Sequence, residues 1–254
     1  MTAAYWAVDN SLTLIGRSLR ISVRNTEALL MAVALPVLLM LVFVYIFGGA
    51  INTGTAYINY VVPGIVILCA GFGSSTTAVS VANDMVNGII DRFRSLPIVG
   101  SAVLTGHVVA SVARNMVAMV LVLGVALLLG WRPSAGPVQW LAAIGMLALF
   151  MVAISWLAAA LGLLFKTVDA AGGATFAVTF LPYLSSAFVP VDTMPSWLRP
   201  IAEHQPITPA VETVRGLLMG TPIGSSWWQA VGWFGAITVA AFVAAAVLFK
   251  RRTA

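Results

Sequence analysis

Asp91, Arg92 and Arg94 crowd three charges into four positions of a 254-residue chain that is only 8% charged. The chemistry open to such a knot is the ion pair. It could set register against a partner protein, or hold a basic loop at anionic headgroups. Other reactive groups are few. GFGSS at 71–75 puts serines in a glycine-rich run, and the chain has two histidines, His107 and His204. A serine nucleophile needs its base at about 3 Å. His204 is expected outside and His107 near the inner edge, so an intramembrane hydrolase stands only as the alternative of another class. Neither HExxH nor clustered Cys and His occurs, so no catalytic residue and no metal site are expected. Cys69 has no partner for an intrachain disulfide and is expected to pack. In a phosphate-binding P-loop the lysine follows glycine. Lys166 and Lys250, the two lysines, both follow Phe, which excludes that loop from this chain.

Arg114 follows His107 by seven residues, two turns along one helix face. A proton relay there would need a carboxylate within the membrane, and the uncharged runs hold none. Arg114 is expected at the inner edge, snorkelling to the headgroups. Asn59, Ser74, Ser75, Thr76 and Thr77 are expected to serve as polar contacts between helices.

The elements holding these residues follow from composition. Hydrophobic residues make up 61% of the chain, and the mean hydropathy is +1.01. Soluble domains carry about 25% charged residues, so the natural solvent here is lipid. Residues 28–83, 133–165, 170–191 and 216–249 contain no Asp, Glu, Lys or Arg. With about 20 apolar residues needed per crossing, six spans are expected: 28–48, 60–82, 112–131, 138–164, 171–190 and 228–249. The apolar run from Ala28 is too long for the core of a secretion signal, so no cleaved leader is expected. Six spans put both termini on one side. That side would carry Arg17, Arg20, Arg24, Arg92, Arg94, Lys166, Lys250, Arg251 and Arg252, against Arg132, Arg199 and Arg215 on the other. The positive-inside rule then makes both termini cytoplasmic, in a multi-pass protein of the plasma (inner) membrane. The net charge of +5 answers to orientation and anionic lipid, and no nucleic-acid surface is expected.

Two amphipathic segments flank the first spans. Over 8–25, Val8, Leu12, Ile15, Leu19 and Val23 fall in a stripe roughly 80° wide, with Arg17, Arg20 and Arg24 on another face. A helix of this kind lies flat at the headgroups, as a lipid anchor or against a soluble partner. Over 84–97, Met85, Val86, Ile89, Phe93 and Leu96 share roughly 100° of the wheel, opposite Asp84, Asn87, Asp91 and Arg94. Pro97 ends that helix. A positive-inside loop that happens to be helical would read the same way. Residues 192–220 are too polar for a single span. Thr208-Pro209 reads as a helix start, Gly220 as its stop, and Glu212 and Arg215 could pair three residues apart.

The run from Ala82 to Pro97, ending IIDRFRSLP, resembles the first cytoplasmic loop of ABC type-2 permeases, especially those similar to daunorubicin-resistance exporters. Asp91, Arg92, Phe93, Arg94, Leu96 and Pro97 fit the acidic-Arg-apolar-Arg/Lys-x-Leu-Pro pattern of that loop, with Asp91 where Glu is common. A second match spans 180–220, where Pro190, Pro195, Trp197, Leu198, Gln205, Pro206, Thr208 and Arg215 keep the family's order, with Gln205 in place of the usual Asn. MLVFVYIFGGAI, at the end of the first span, is a softer match. The resemblance implies an all-α membrane fold in one transmembrane domain, 1–254. Its parts would be six helices, an N-terminal interfacial helix (8–25), a coupling helix (84–97) and an extracellular re-entrant helical hairpin (192–220). It further implies a permease that exports a hydrophobic or amphipathic compound such as a drug, a lipid or a polyketide. ATP and Mg would sit on a separate ATPase, present in two copies, and a second permease chain, identical or homologous, would complete the pathway. Met85, Ile89 and Phe93 would anchor in the ATPase, with Asp91, Arg92 and Arg94 setting register. Pro190, Pro195, Trp197, Pro206, Glu212 and Arg215 would build the cap. A polysaccharide exporter is a near neighbour, disfavoured by a tyrosine count of only five.

Overall fold

The computed structural model describes residues 26–87 and 100–253, and every regular element among them is helical. α1, Thr26–Leu41, runs into a π-helical stretch, Val42–Phe47. Together they fill the first expected span. Gly48 and Gly49 follow, and a turn in which Asn52 Oδ1 accepts from the Gly54 amide at 3.1 Å leads towards α2. α2, Tyr57–Val86, is the central helix: Val61, Val62 and the stretch Ile65–Ala70 are fully buried, Cys69 among them. Its 30 residues extend about 45 Å, well beyond a hydrocarbon core of about 30 Å. α3 is Gly100–Leu128, α4 is Pro137–Leu164, and the last long helix, α8, is Ser226–Thr253. Length and hydropathy make α2, α3, α4 and α8 able to cross a membrane, while the apolar part of the first helix, Ala32–Phe47, is shorter.

The ends of the helices follow local rules. Gly136 caps α4 with Pro137 at its first position, as its sequence foretells. α3 begins twelve residues before the expected span, and its apolar candidate crossing already starts at Val103. α5, Val168–Thr179, starts at Thr167, whose hydroxyl accepts from the Ala170 amide at 3.3 Å, with Asp169 in the first turn.

The fifth expected span, 171–190, is not a continuous helix. α5 ends after 12 residues, about 18 Å. A 3₁₀ turn at Leu181–Leu184 and turns through Val189 complete the stretch. Pro182 supplies no amide for the α-helical ladder, and the Ser185 hydroxyl takes local backbone partners instead, donating to Pro182 O and accepting from the Ala187 amide.

Beyond lie a 3₁₀ turn at Val191–Thr193, the one-and-a-half-turn α6, Arg199–His204, and α7, Ile207–Met219. α7 starts one residue before Thr208, with Pro206 in the capping position. Thr208 is therefore not the cap. Its hydroxyl donates to Ala202 O and accepts from the Ser186 amide. Gly220 does end the helix, in the left-handed region at φ 72°. Ten of the 13 residues of α7 are buried, and it packs against α2, α4 and α8.

α4 and α8 are joined by edge-to-face rings, Phe150 on Phe234 at 5.0 Å and Trp156 on Phe242 at 4.9 Å. α4 also crosses α2 very closely at Gly162, where a Cβ would stand 2.6 Å from Ala78 O. Small residues at such crossings let helix backbones meet where burial from water cannot drive association.

Candidate functional site

Arg252 donates to Leu164 O at 3.0 Å. This brings the basic end of α8 beside the end of α4, and with it Lys166. The same end carries the close of α2 and the start of α3, packed with α4 and α8 through Val81, Leu104, Val108, Leu163 and Ala245. Arg132 and Arg199 lie at the opposite end, with Arg215 of α7: the Ser134 amide donates to Leu218 O at 3.0 Å, and Tyr57 Oη donates to Phe188 O at 2.8 Å. Apart from Arg114, the described basic residues therefore fall into two groups, one at each end of the bundle.

At the Lys166 end, Asp84 Oδ2 and His107 Nε2 meet at 3.0 Å. An ionised carboxylate only accepts, so His107 is the donor. Further along the same face of α3, Arg114 turns inward instead of snorkelling. It donates to Gly73 O at 2.9 Å and to the Thr76 hydroxyl. Next to it a wholly buried cluster joins three helices: Asn115 Nδ2 reaches Ser74 Oγ at 3.2 Å, and Ser155 Oγ donates to Ser111 Oγ at 3.0 Å. Of the polar contacts expected between helices, Ser74 and Thr76 make them. Ser111, Asn115 and Ser155 escaped the sequence reading. The i, i+4 spacing of Ser111 and Asn115, four residues after His107, was the available signal.

Neither histidine serves Ser74. His107 holds Asp84, His204 Nδ1 lies 2.9 Å from Pro200 O, and Ser74 Oγ donates to Ala70 O at 2.9 Å. The serine-histidine pair of the hydrolase alternative is thus not formed at Ser74, while the side chain of Ser75, the other serine of that run, lies outside the described residues.

At the other end the organising side chain is Arg215, only 9% exposed. It donates to Tyr60 O at 3.1 Å and Ser186 O at 2.7 Å, and its guanidinium lies 3.7 Å over the Tyr60 ring. Two carbonyls and an aromatic face offset the loss of hydration. No Glu212–Arg215 ion pair forms, because Arg215 points into the bundle while Glu212 accepts from Ser226 Oγ at 2.8 Å. Gln205 ties α6 to the broken stretch by donating to Leu181 O and Leu184 O. Pro190 O accepts from the Thr193 amide, Pro195 O from the amides of Leu198 and Arg199, and Pro206 precedes α7. Trp197 is 71% exposed.

Of the expected ATPase-contacting residues only Met85 is described; it is half-buried beside Val81 and Leu104. Ile89, Asp91, Arg92, Phe93, Arg94, Leu96 and Pro97 lie outside the described residues, as do Arg17, Arg20 and Arg24 of the expected interfacial helix.

A family model described as ABC-2 type transporter matches residues 10–219. The chain is 31% identical over 217 residues to a daunorubicin resistance ABC transporter permease protein of Streptomyces coeruleorubidus, covering 85% of this chain and 77% of that one. It is 26% identical over 222 residues to a probable doxorubicin resistance ABC transporter permease protein of Mycobacterium tuberculosis, covering 87% and 80%.

Proposed function

This chain belongs to the ABC-2 type transporter family, and from that premise we propose that it is the membrane subunit of an ATP-driven exporter whose motor is a separate chain. The carrying observation is the sorting of charge by end. Lys166, Lys250, Arg251 and Arg252 share the end of the bundle where α2 closes and α3 begins, and that end is the cytoplasmic one by the positive-inside rule. Segment 88–99, with Asp91, Arg92 and Arg94, joins those two helices. It is thereby offered to a cytoplasmic ATPase, Met85, Ile89 and Phe93 as anchors and the charges as register. Arg17, Arg20 and Arg24 would lie along the same face.

The chain crosses the membrane six times with both termini inside. The first crossing is α1 with its π-helical extension, and the fifth is α5 completed by the 3₁₀ turn. α6 and α7 cap the outer side. Each of two ATPase copies binds one permease chain, the second permease being identical or homologous, and ATP with Mg is held by the ATPases. Closure of the motor favours the outward-facing arrangement to the extent that it binds that state more tightly. The cargo is a hydrophobic or amphipathic compound of the kind for which the relatives are named.

The test is co-purification. The Arg92→Glu, Arg94→Glu double variant is expected to reach the membrane in normal amount and to lose the ATPase. An undiminished ATPase yield with that variant refutes the coupling role.

A further inference from the structure

Three polar steps fasten α2 to α3 along one line. The first, nearest segment 88–99, is Asp84 with His107 at 3.0 Å, their side chains 14% and 13% exposed. The second is Arg114 on Gly73 O and the Thr76 hydroxyl. The third is Asn115 on Ala70 O at 3.4 Å and Ser74 Oγ at 3.2 Å. Most other helix contacts in the bundle are apolar or involve small residues, which pack closely without hydrogen bonds to charged side chains. Hydrogen bonds fix register, and those to charged groups are the strong ones.

Asp84 stands in the last turn of α2, where the helix dipole disfavours a negative charge. His107 opposite offsets that cost by donating to the carboxylate at 3.0 Å. α4, by contrast, joins the line through the neutral hydroxyl of Ser155, 3.0 Å from Ser111 and 3.4 Å from Ser74.

We propose that α2 and α3 move as one lever with segment 88–99 at its tip, and that Asp84 and His107 are the positioning pair fixing the tip to both arms. This rests on the reading of 84–97 as the ATPase contact. Motion delivered to the tip would then swing the hairpin against α4 and α8 instead of being lost as slippage between α2 and α3. The pair touches neither cargo nor nucleotide; it acts through segment 88–99.

The test uses the permease purified with its ATPase in lipid vesicles, read as ATP turnover per complex, which needs no knowledge of the cargo. Asp84→Ala and His107→Ala are each expected to lower turnover about tenfold, equivalent to about 1.4 kcal/mol, while the ATPase stays bound. The double variant should be no worse than either single one, because the two act as a unit. Exchange of the pair, Asp84→His with His107→Asp, should restore turnover to within about twofold. Multiplicative losses, or unchanged turnover in both single variants, overturn the proposal.

Should the alanine variants assemble poorly, a second measurement decides. Asp84→Cys with His107→Cys, in a Cys69→Ser background, is bridged by a short dithiol-reactive spacer. Turnover that survives bridging supports a hairpin moving as one body. Turnover stopped by the bridge shows that the arms must separate, and overturns it. If the unaltered chain retains no ATPase at all, the coupling reading fails and the lever with it. An intact complex indifferent to the pair sinks the lever alone.

Discussion

Alanine at Gly162 tests the crossing of α2 and α4. The added Cβ would stand 2.6 Å from Ala78 O and 3.1 Å from both Ala78 Cα and Val81 Cβ. Ordinary contact begins near 3.4 Å, so the two helices must part by about 0.8 Å, and the nearest obstruction is backbone that cannot rotate away. Overpacking of this kind costs about 1–3 kcal/mol, while replacing glycine by alanine inside a helix returns about 0.5–1 kcal/mol. The net loss is then about 1–2 kcal/mol. For a chain of this size 1 kcal/mol moves the melting temperature by about 2–4 °C, so Gly162→Ala should melt about 4 °C lower. Gly145→Ala supplies the control on the same helix: nothing lies within 4 Å of its would-be Cβ, and only the propensity gain remains. It should melt about 2 °C higher. Thermal unfolding of the detergent-solubilised protein, followed by tryptophan fluorescence, reads both. A Gly162→Ala protein that melts as high as Gly145→Ala would refute the close crossing.

Arg215→Ala should lose about 3 kcal/mol, since it removes two donors and a cation–π contact and strands the buried carbonyls of Tyr60 and Ser186. Arg215→Lys keeps the charge but not the fork, and should melt between Arg215→Ala and the unaltered protein; a lysine variant as stable as the parent would deny that geometry. In whole cells, a cysteine replacing the exposed Ser196 should react with an impermeant thiol reagent, while one replacing Ser95 should not. Cys69, 1% exposed, leaves the background silent. Reversed labelling would invert the topology.

Hydropathy located the long helices because crossing length is a local property: 28–48, 60–82 and 138–164 each overlie a helical run. It erred where apolar character and helical continuity part company. Residues 171–190 are uncharged throughout, yet the helix stops at Thr179, with Pro182 and the local bonds of Ser185 holding the stretch beyond it out of the α-helical ladder. Conversely, the expected start at 112 came too late: the helix begins at Gly100, and 103–128 is apolar enough to count as a crossing despite Arg114. The stop at Gly220 was legible because one residue suffices to specify it. The partners of Arg215 were not: Glu212 was the nearby choice, whereas Tyr60 lies 155 residues away in sequence and only the fold brings it near. Asp84 and His107 were each noticed singly, but their pairing depends on how α2 returns as α3.

In the proposed exporter, the interruption after α5 constrains how the outer mouth can open. The carbonyls of Leu181, Leu184 and Ser186 and the Ser186 amide all find their partners in Gln205, Thr208 and Arg215. Were the short helices to hinge away like a trapdoor, those peptide groups would be stripped of partners in oily surroundings, at several kcal/mol each. The covering is bolted to what it covers. In the proposed exporter, release on that side therefore calls for the two permease chains to draw apart, leaving each chain's own roof in place.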